Sequence, residues 1–271
     1  MRKRIVFVGC GSMAEAIMAG ILQTKTVDKN DIYVTNKQDE ERLNDIAAMY
    51  GVQTSYDKEE LLDLADVVIL AMKPKDLTDS ISEIRSFIRE DQLVISIIAG
   101  IMTETIEKII GKRNAVIRAM PNTSAQIGYS ATAIAGGKYV DEEKINFTKK
   151  LFQSIGITKV VNEADMHTVT AVSGSGPAFV YYFVEAMTKA ALEAGMEAST
   201  ADALITQTII GAGKMLEQSG QPASTLRENI TSEGGTTAAG LQTLKSNDFE
   251  EIIIACIESA RLRSIDLGKT F

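Results

Sequence analysis

Near the amino terminus four apolar residues, Ile5-Val6-Phe7-Val8, run directly into Gly9-Cys10-Gly11-Ser12-Met13-Ala14, and Ala16, Ile17, Gly20 and Ile21 continue at helical spacing. No other stretch restricts the fold so tightly. A short all-apolar run suits a strand buried on both faces of a parallel sheet. Gly-x-Gly-x-x-Ala suits the tight turn from such a strand into a helix. The first glycine bends the chain, the second lets a phosphate approach the backbone, and the small third residue lets helix pack on strand. The bare amides at the helix start then offer a seat for a pyrophosphate. Gly9, Gly11, Ser12 and Met13 are therefore candidate cofactor-binding residues. Met1-Arg2-Lys3-Arg4 before an apolar run also has the outline of a secretory leader, but the run stops at Val8 and Glu15 stands where it should continue. The chain is expected to begin directly with its fold.

With 271 residues, 45% of them hydrophobic, there is material for one large or two ordinary domains. The longest apolar run, Leu93 to Met102, is broken by Ser96 and Gly100 and falls well short of the roughly 18 residues of a membrane span. A net charge of −8 argues against a nucleic-acid scaffold, which carries a basic field. Cys10 and Cys256 stand far apart, so no disulfide framework or zinc site is suggested and a cytoplasmic setting is the default. His167 is the single histidine, which excludes a multi-histidine metal centre within one subunit. No metal is expected.

The second strand ends in Thr35-Asn36-Lys37. An Asp or Glu at this place holds the ribose hydroxyls in NAD-selective proteins. An amide and an ammonium, Asn36 and Lys37, can instead bind a 2′-phosphate. NADPH is expected as cofactor, with NADH the less favoured alternative. A helix over 59–64 follows, then a buried strand within 65–74 that empties into Lys73-Pro74 at the carboxyl edge of the sheet, where ligands of open α/β sheets sit. Helix 77–88, strand 93–98, helix 105–110 and strand 116–120 come next, then strands 131–135 and 157–161 around helix 142–154. This alternation predicts a doubly wound parallel sheet, a Rossmann-like dinucleotide-binding domain over 1–164. From Asp165 onward the pattern is helical only, over 166–194, 200–219, 222–229, 236–245 and 249–267. Residues 165–271 are expected to form an all-helical domain. Ile253, Ile254, Ile257, Ala260 and Ile265 give its last helix an apolar stripe. Association with a second copy is expected.

Two glycine clusters interrupt this half. Ser173-Gly174-Ser175-Gly176-Pro177 reads either as a second phosphate loop or as a helix crossing with Pro177 restarting the helix. Ser232-Glu233-Gly234-Gly235-Thr236-Thr237 reads as a seat for a carboxylate, because Gly-Gly before a helix leaves unpaired amides and the threonines add hydroxyls.

Gly9-Cys10-Gly11-Ser12-Met13-Ala14, Thr35-Asn36-Lys37, Ala71-Met72-Lys73-Pro74, Met120-Pro121-Asn122-Thr123, Ser173 to Pro177 and Thr231 to Thr237 occur together and in order. Over nearly the whole chain this series resembles the pyrroline-5-carboxylate reductases, which complete proline biosynthesis. The resemblance implies NADPH-dependent reduction of a ring C=N bond to give L-proline. It also implies a dimer through interleaved helical domains, in some members assembled into decamers, in which the glycine-rich turn of one subunit faces the nicotinamide of its neighbour. By position, Thr237 would be the catalytic hydroxyl on the substrate nitrogen, with Ser232, Gly234, Gly235 and Thr236 holding the carboxylate. Ala71, Met72, Lys73, Pro74, Ala99, Gly100, Met120 and Asn122 would line the dinucleotide. Where family members commonly carry Asn, this chain has Asp57-Lys58, and Lys58 could meet a phosphate. Two other readings stay open: a β-hydroxyacid dehydrogenase using Lys189 as its acid, and a catalytically idle NADPH-binding regulatory relative.

Overall fold

The computed structural model describes residues 3–269. Met1 and Arg2, part of the basic start weighed as a leader, lie outside the described residues. Eight strands form one sheet in the order β3-β2-β1-β4-β5-β6-β7-β8. They are β1 (Ile5–Val8), β2 (Ile32–Thr35), β3 (Gln53–Thr54), β4 (Val67–Leu70), β5 (Leu93–Ser96), β6 (Ala115–Met120), β7 (Ser130–Gly136) and β8 (Gly156–Val160). Between them run α1 (Ser12–Gln23), α2 (Glu40–Tyr50), α3 (Lys58–Leu64), α4 (Leu77–Ile84), α5 (Thr103–Ile110) and α6 (Glu142–Phe152).

Strand alternation divides the core in two. Ile5, Phe7, Val67, Ile69 and Ile95 point to one face and pack with Ile17 and Ile21 of α1, Ile46 of α2 and Phe152 of α6. Val6, Val8, Val68, Leu70 and Val94 point to the other, against Leu62 of α3, Ile81 of α4 and Ile106 of α5. Successive strand side chains face opposite sides, so strands covered on both faces must be apolar throughout. This is why β1, β4 and β5 could be read from sequence.

Two features differ from expectation. Helix α2 and the short strand β3 occupy residues for which no element was expected. Their signals are local: Asp39 caps α2 by accepting from Arg42 N–H, Glu40 and Glu41 fill its first turn, and Gly51 closes it in a left-handed conformation. The sheet is also not wholly parallel. β7 runs antiparallel to β6, with Met120 opposite Ala133. The connection, residues 121–129, is too short for a parallel crossover, which needs about a dozen residues or more, so the chain doubles back. β8 then pairs parallel to β7 through α6.

The helical half comprises α7 (Met166–Val169), α8 (Gly176–Glu193), α9 (Ala198–Gln218), α10 (Ala223–Asn229), α11 (Thr236–Ser246) and α12 (Phe249–Gly268). By contacts, the chain divides into Met1–Pro177 with Glu258–Phe271, and Ala178–Ile257. The expected boundary at 164 lies before α7, whereas the contacts divide within the first turn of α8. The carboxyl-terminal part of α12 returns to the sheet-bearing unit.

Candidate active site

The carboxyl ends of the central strands lie level: Val8 is paired with Thr35 and with Leu70, Leu70 with Ser96, and Ser96 with Arg118. A ligand spanning β2 to β6 along this edge crosses four strand spacings, about 19 Å. The order reverses between β1 and β4, the switch point where open α/β sheets bind ligands. A cleft of about 650 Å³ opens there, lined among others by Gly9, Gly11, Ser12, Asn36, Lys37, Ala71, Met72 and Lys73.

The first turn is built for close backbone approach. Gly9 has φ +109, and a Cβ on it would lie 2.7 Å from the Ala71 carbonyl oxygen, so a side chain there would push β1 from β4. A Cβ on Gly11 would meet nothing within 4 Å. Gly11 is the N-cap of α1, with no side chain bonded to the helix start. Free amides over an open space fit a pyrophosphate, so the residues present suit a dinucleotide. Met13, also in the first turn, packs partly buried against the core. The Asn36 carboxamide is engaged locally: Oδ1 accepts from Asp39 N–H at 2.9 Å, and Nδ2 donates to the Asp39 carbonyl at 2.6 Å and to Cys10 Sγ at 3.3 Å. Asn36 therefore shapes the loop, while Lys37 stands exposed in the cleft wall. Lys58 also lines the cleft but is ion-paired with Glu83, and that pairing holds the Glu83 carboxyl below its ordinary range. Asp57 caps α3, accepting from Glu60 N–H at 3.0 Å.

Pro74, Ala99, Gly100, Met120 and Asn122 lie at or just past the ends of β4, β5 and β6 along the same edge, outside the cleft lining. Pro74 opens a 3-10 turn over Pro74–Asp76. Gly100 is buried and has φ +81; a Cβ on it would lie 3.0 Å from the Ser264 carbonyl and 3.1 Å from Leu267 Cβ. The end of α12 thus rests directly on this turn. Ser264 is buried, and its Oγ lies 2.9 Å from His167 Nδ1. The lone histidine is thus a packing residue, with a pKa lowered first by burial and then by Arg118.

Asn122 is buried, and its Nδ2 donates to the Ser173 carbonyl at 3.0 Å. Ser173 belongs to the first glycine cluster, which forms a π-turn over Thr170–Gly174, closed by Ser175 N–H on the Thr170 carbonyl at 2.8 Å. No strand leads into it, and Pro177 falls in the first turn of α8, the position where a missing amide costs nothing. A Cβ on Gly174 would come 2.8 Å from Met120 Cε. This glycine lets the π-turn press on the exit of β6, a contact the sequence did not reveal.

In the second unit, Gly235 is the N-cap of α11 with no side-chain hydrogen bond. Gly235 N–H bonds the Ser232 carbonyl at 3.1 Å, so the turn closes on itself and presents Thr236 and Thr237 at the helix start. Ser232, Gly234 and Thr236 are exposed and Thr237 half-buried. Lys189, the acid of the rival reading, is exposed on α8 beside Glu193. Among the described residues no group of acids, cysteines and histidines is placed to hold a metal.

Sequence reasoning missed two polar groups beside these residues. Arg42 on α2 lines the cleft. Arg118 on β6 is fully buried against Glu163, whose carboxylate also takes the Thr103 hydroxyl at 2.7 Å. The caps of α2 were the available signal for the first; an Arg inside an apolar strand run was the signal for the second.

Residues 4–100 match a family model described as NADP oxidoreductase coenzyme F420-dependent, and residues 163–267 match pyrroline-5-carboxylate reductase dimerisation. The chain is 48% identical to pyrroline-5-carboxylate reductase 2 of Bacillus subtilis over 99% of its own length and 96% of the relative's. A solved pyrroline-5-carboxylate reductase from Coxiella burnetii superposes with TM-score 0.91 at 33% identity, covering 99% of both chains. A Plasmodium falciparum pyrroline carboxylate reductase solved with NADP bound gives 0.87 at 29% identity, covering 98% of both.

Proposed function

This chain belongs to the pyrroline-5-carboxylate reductase family, and from that premise we propose that it reduces 1-pyrroline-5-carboxylate to L-proline with NADPH. The observation that carries the reading is the pairing of two backbone-lined helix starts in one chain. One, at Gly11, faces an open cleft, and the other, at Gly235, is followed by two threonines.

Bound in the cleft, NADPH supplies a hydride for the carbon of the ring C=N bond. The chain's own residues do the rest. Gly11, Ser12 and Met13 offer amides to the pyrophosphate, with Gly9 and Ala71 bringing β1 and β4 close behind it. Lys37 takes the 2′-phosphate on the loop that Asn36 braces. The Gly234-Gly235 turn and the amides of Thr236 and Thr237 hold the substrate carboxylate, helped by the positive end of the α11 dipole. The Thr237 hydroxyl donates to the ring nitrogen, where charge collects as the C=N bond is reduced, and solvent supplies the proton. Pro74, Ala99, Gly100, Met120 and Asn122 shape the edge on which the nicotinamide lies. Most of the acceleration comes from holding the two reacting carbons in register.

The protein works as a homo-oligomer. In α8 no residue is buried, although Val180, Tyr181 and Phe183 are all large and apolar, and Ile252, Ile253 and Ile254 of α12 are more than 40% exposed. Large apolar side chains exposed in this number mark an interface, so the exposed start of the stripe read from sequence on α12, Ile253 and Ile254, is covered by a second copy. We assign a dimer as the working unit, with decamers as its higher assembly. Both cysteines are free, as a reducing cytoplasm keeps them, and no helix among the described residues is long and apolar enough to cross a membrane. The test is NADPH oxidation with pyrroline-5-carboxylate beside a panel of 3-hydroxy acids assayed with NADP. Proline formation is expected, and turnover of a hydroxy acid alone would refute the assignment.

A further inference from the structure

The cleft contains a guanidinium that none of these roles uses. Arg42, on α2, donates from Nε to the Cys10 carbonyl at 3.0 Å, inside the Gly9-Cys10-Gly11 turn. Its Nη2 donates to Glu15, in the first turn of α1, and Tyr50 at the end of α2 donates its hydroxyl to the other Glu15 oxygen at 3.0 Å. Cys10, Glu15 and Arg42 all line the cleft. The Arg42 and Glu15 side chains are 29% and 25% exposed, so the pair is largely shielded yet borders the space where phosphates would lie.

Two physical consequences follow. A peptide unit is planar and trans, so its carbonyl and amide turn together. Gripping the Cys10 carbonyl therefore fixes the direction of the Gly11 amide. Glu15 is favoured by the positive end of α1, but an uncompensated carboxylate on the rim repels a dianion. The Arg42 hydrogen bond is the main reason the Glu15 carboxyl is held below its ordinary range, so Glu15 is an anion at neutral pH and Arg42 its counter-charge. Arg42 is bidentate in effect, one nitrogen on backbone and one on carboxylate, a division a lysine cannot reproduce.

We propose that Arg42 is a positioning residue for the dinucleotide, fixing the Cys10–Gly11 peptide and cancelling the Glu15 charge, so that losing it weakens phosphate binding and removing Glu15 as well restores part of the loss. The inference rests on the reading that this cleft takes NADPH. The measurement is the NADPH dissociation constant, from nucleotide fluorescence, for the wild type, R42M, R42K, E15Q and R42M/E15Q, with each thermal midpoint recorded alongside. R42M should bind about tenfold more weakly, the scale of one hydrogen bond to a charged group. E15Q should bind at least as tightly as wild type, and the double variant should fall between wild type and R42M. In turnover the loss should appear in KM for NADPH, with kcat within about twofold of wild type. Should R42M not fold, R42K carries the test, with several-fold weaker binding expected at a near-native midpoint. Wild-type affinity in R42M or R42K, or a double variant as weak as R42M, overturns the inference alone. A wild-type protein that does not bind NADPH overturns it together with the functional reading.

Discussion

Replacing Glu163 by Ala tests how the sheet-bearing unit tolerates an arginine at its centre. Arg118 is fully buried, and Glu163 meets its Nη1 at 3.3 Å. Arg118 Nε and Nη2 have no partner among the described residues, so this guanidinium is already short of acceptors. Burial pulls its pKa down, and Glu163 acts against that pull. The same carboxylate accepts from Thr103 N–H at 3.2 Å and from its hydroxyl at 2.7 Å. Breaking a buried ion pair from one side costs about 3–5 kcal/mol. Glu163 is 17% exposed, so water can enter in its place, which puts the pair at the lower end, about 3 kcal/mol. One net hydrogen bond to Thr103 adds roughly 1 kcal/mol. The expected loss is about 4 kcal/mol, read from urea denaturation by far-UV circular dichroism, since the chain has no tryptophan. Removing both charges, in R118M/E163Q, should cost much less than E163A, because no stranded cation remains. A loss below about 1 kcal/mol in E163A, or a double variant as unstable as the single one, would refute the reasoning.

Three further outcomes are expected. The His167 pKa lies below its ordinary value, chiefly through burial, so the unfolded chain takes up a proton at a pH where the folded one does not. This part of the stability is intact above about pH 6.5 and is lost as pH falls through the lowered value; the gap in urea midpoint between wild type and H167N should therefore shrink from pH 7 to about pH 5.5, and an unchanged gap would count against it. Thr237→Ala should slow turnover by about ten- to a hundredfold, the cost of one hydrogen bond to a charged partner, while NADPH affinity by titration stays at the wild-type value. Lys37→Ala should lower the ratio of NADPH to NADH efficiency by about tenfold or more; an unaltered ratio in steady-state kinetics would remove Lys37 from 2′-phosphate recognition.

What could be read without coordinates was whatever is written in adjacent residues. Burial on both faces makes a strand apolar end to end, so β1, β4 and β5 announced themselves. A Gly-x-Gly turn needs particular residues at particular offsets, and Gly235 as N-cap of α11 has no side chain to bond the first amides of the helix. These are requirements of adjacent residues, which is why both glycine turns could be picked out as candidates for binding an anion.

The tertiary structure decided the rest, because the deciding partners lie far apart in sequence. Glu163 reaches Arg118 across 45 residues and Arg42 reaches the Cys10 carbonyl across 32, and no periodicity records either pairing. The reversal of β7 was set by a short connection whose consequence appears only once β6 has a neighbour. The Gly100 turn receives the last turn of a helix more than 160 residues later, where each glycine removes the side chain that would keep two backbones apart. Hydrophobic patterning selects elements; which polar atoms meet when those elements close on one another depends on three-dimensional register alone.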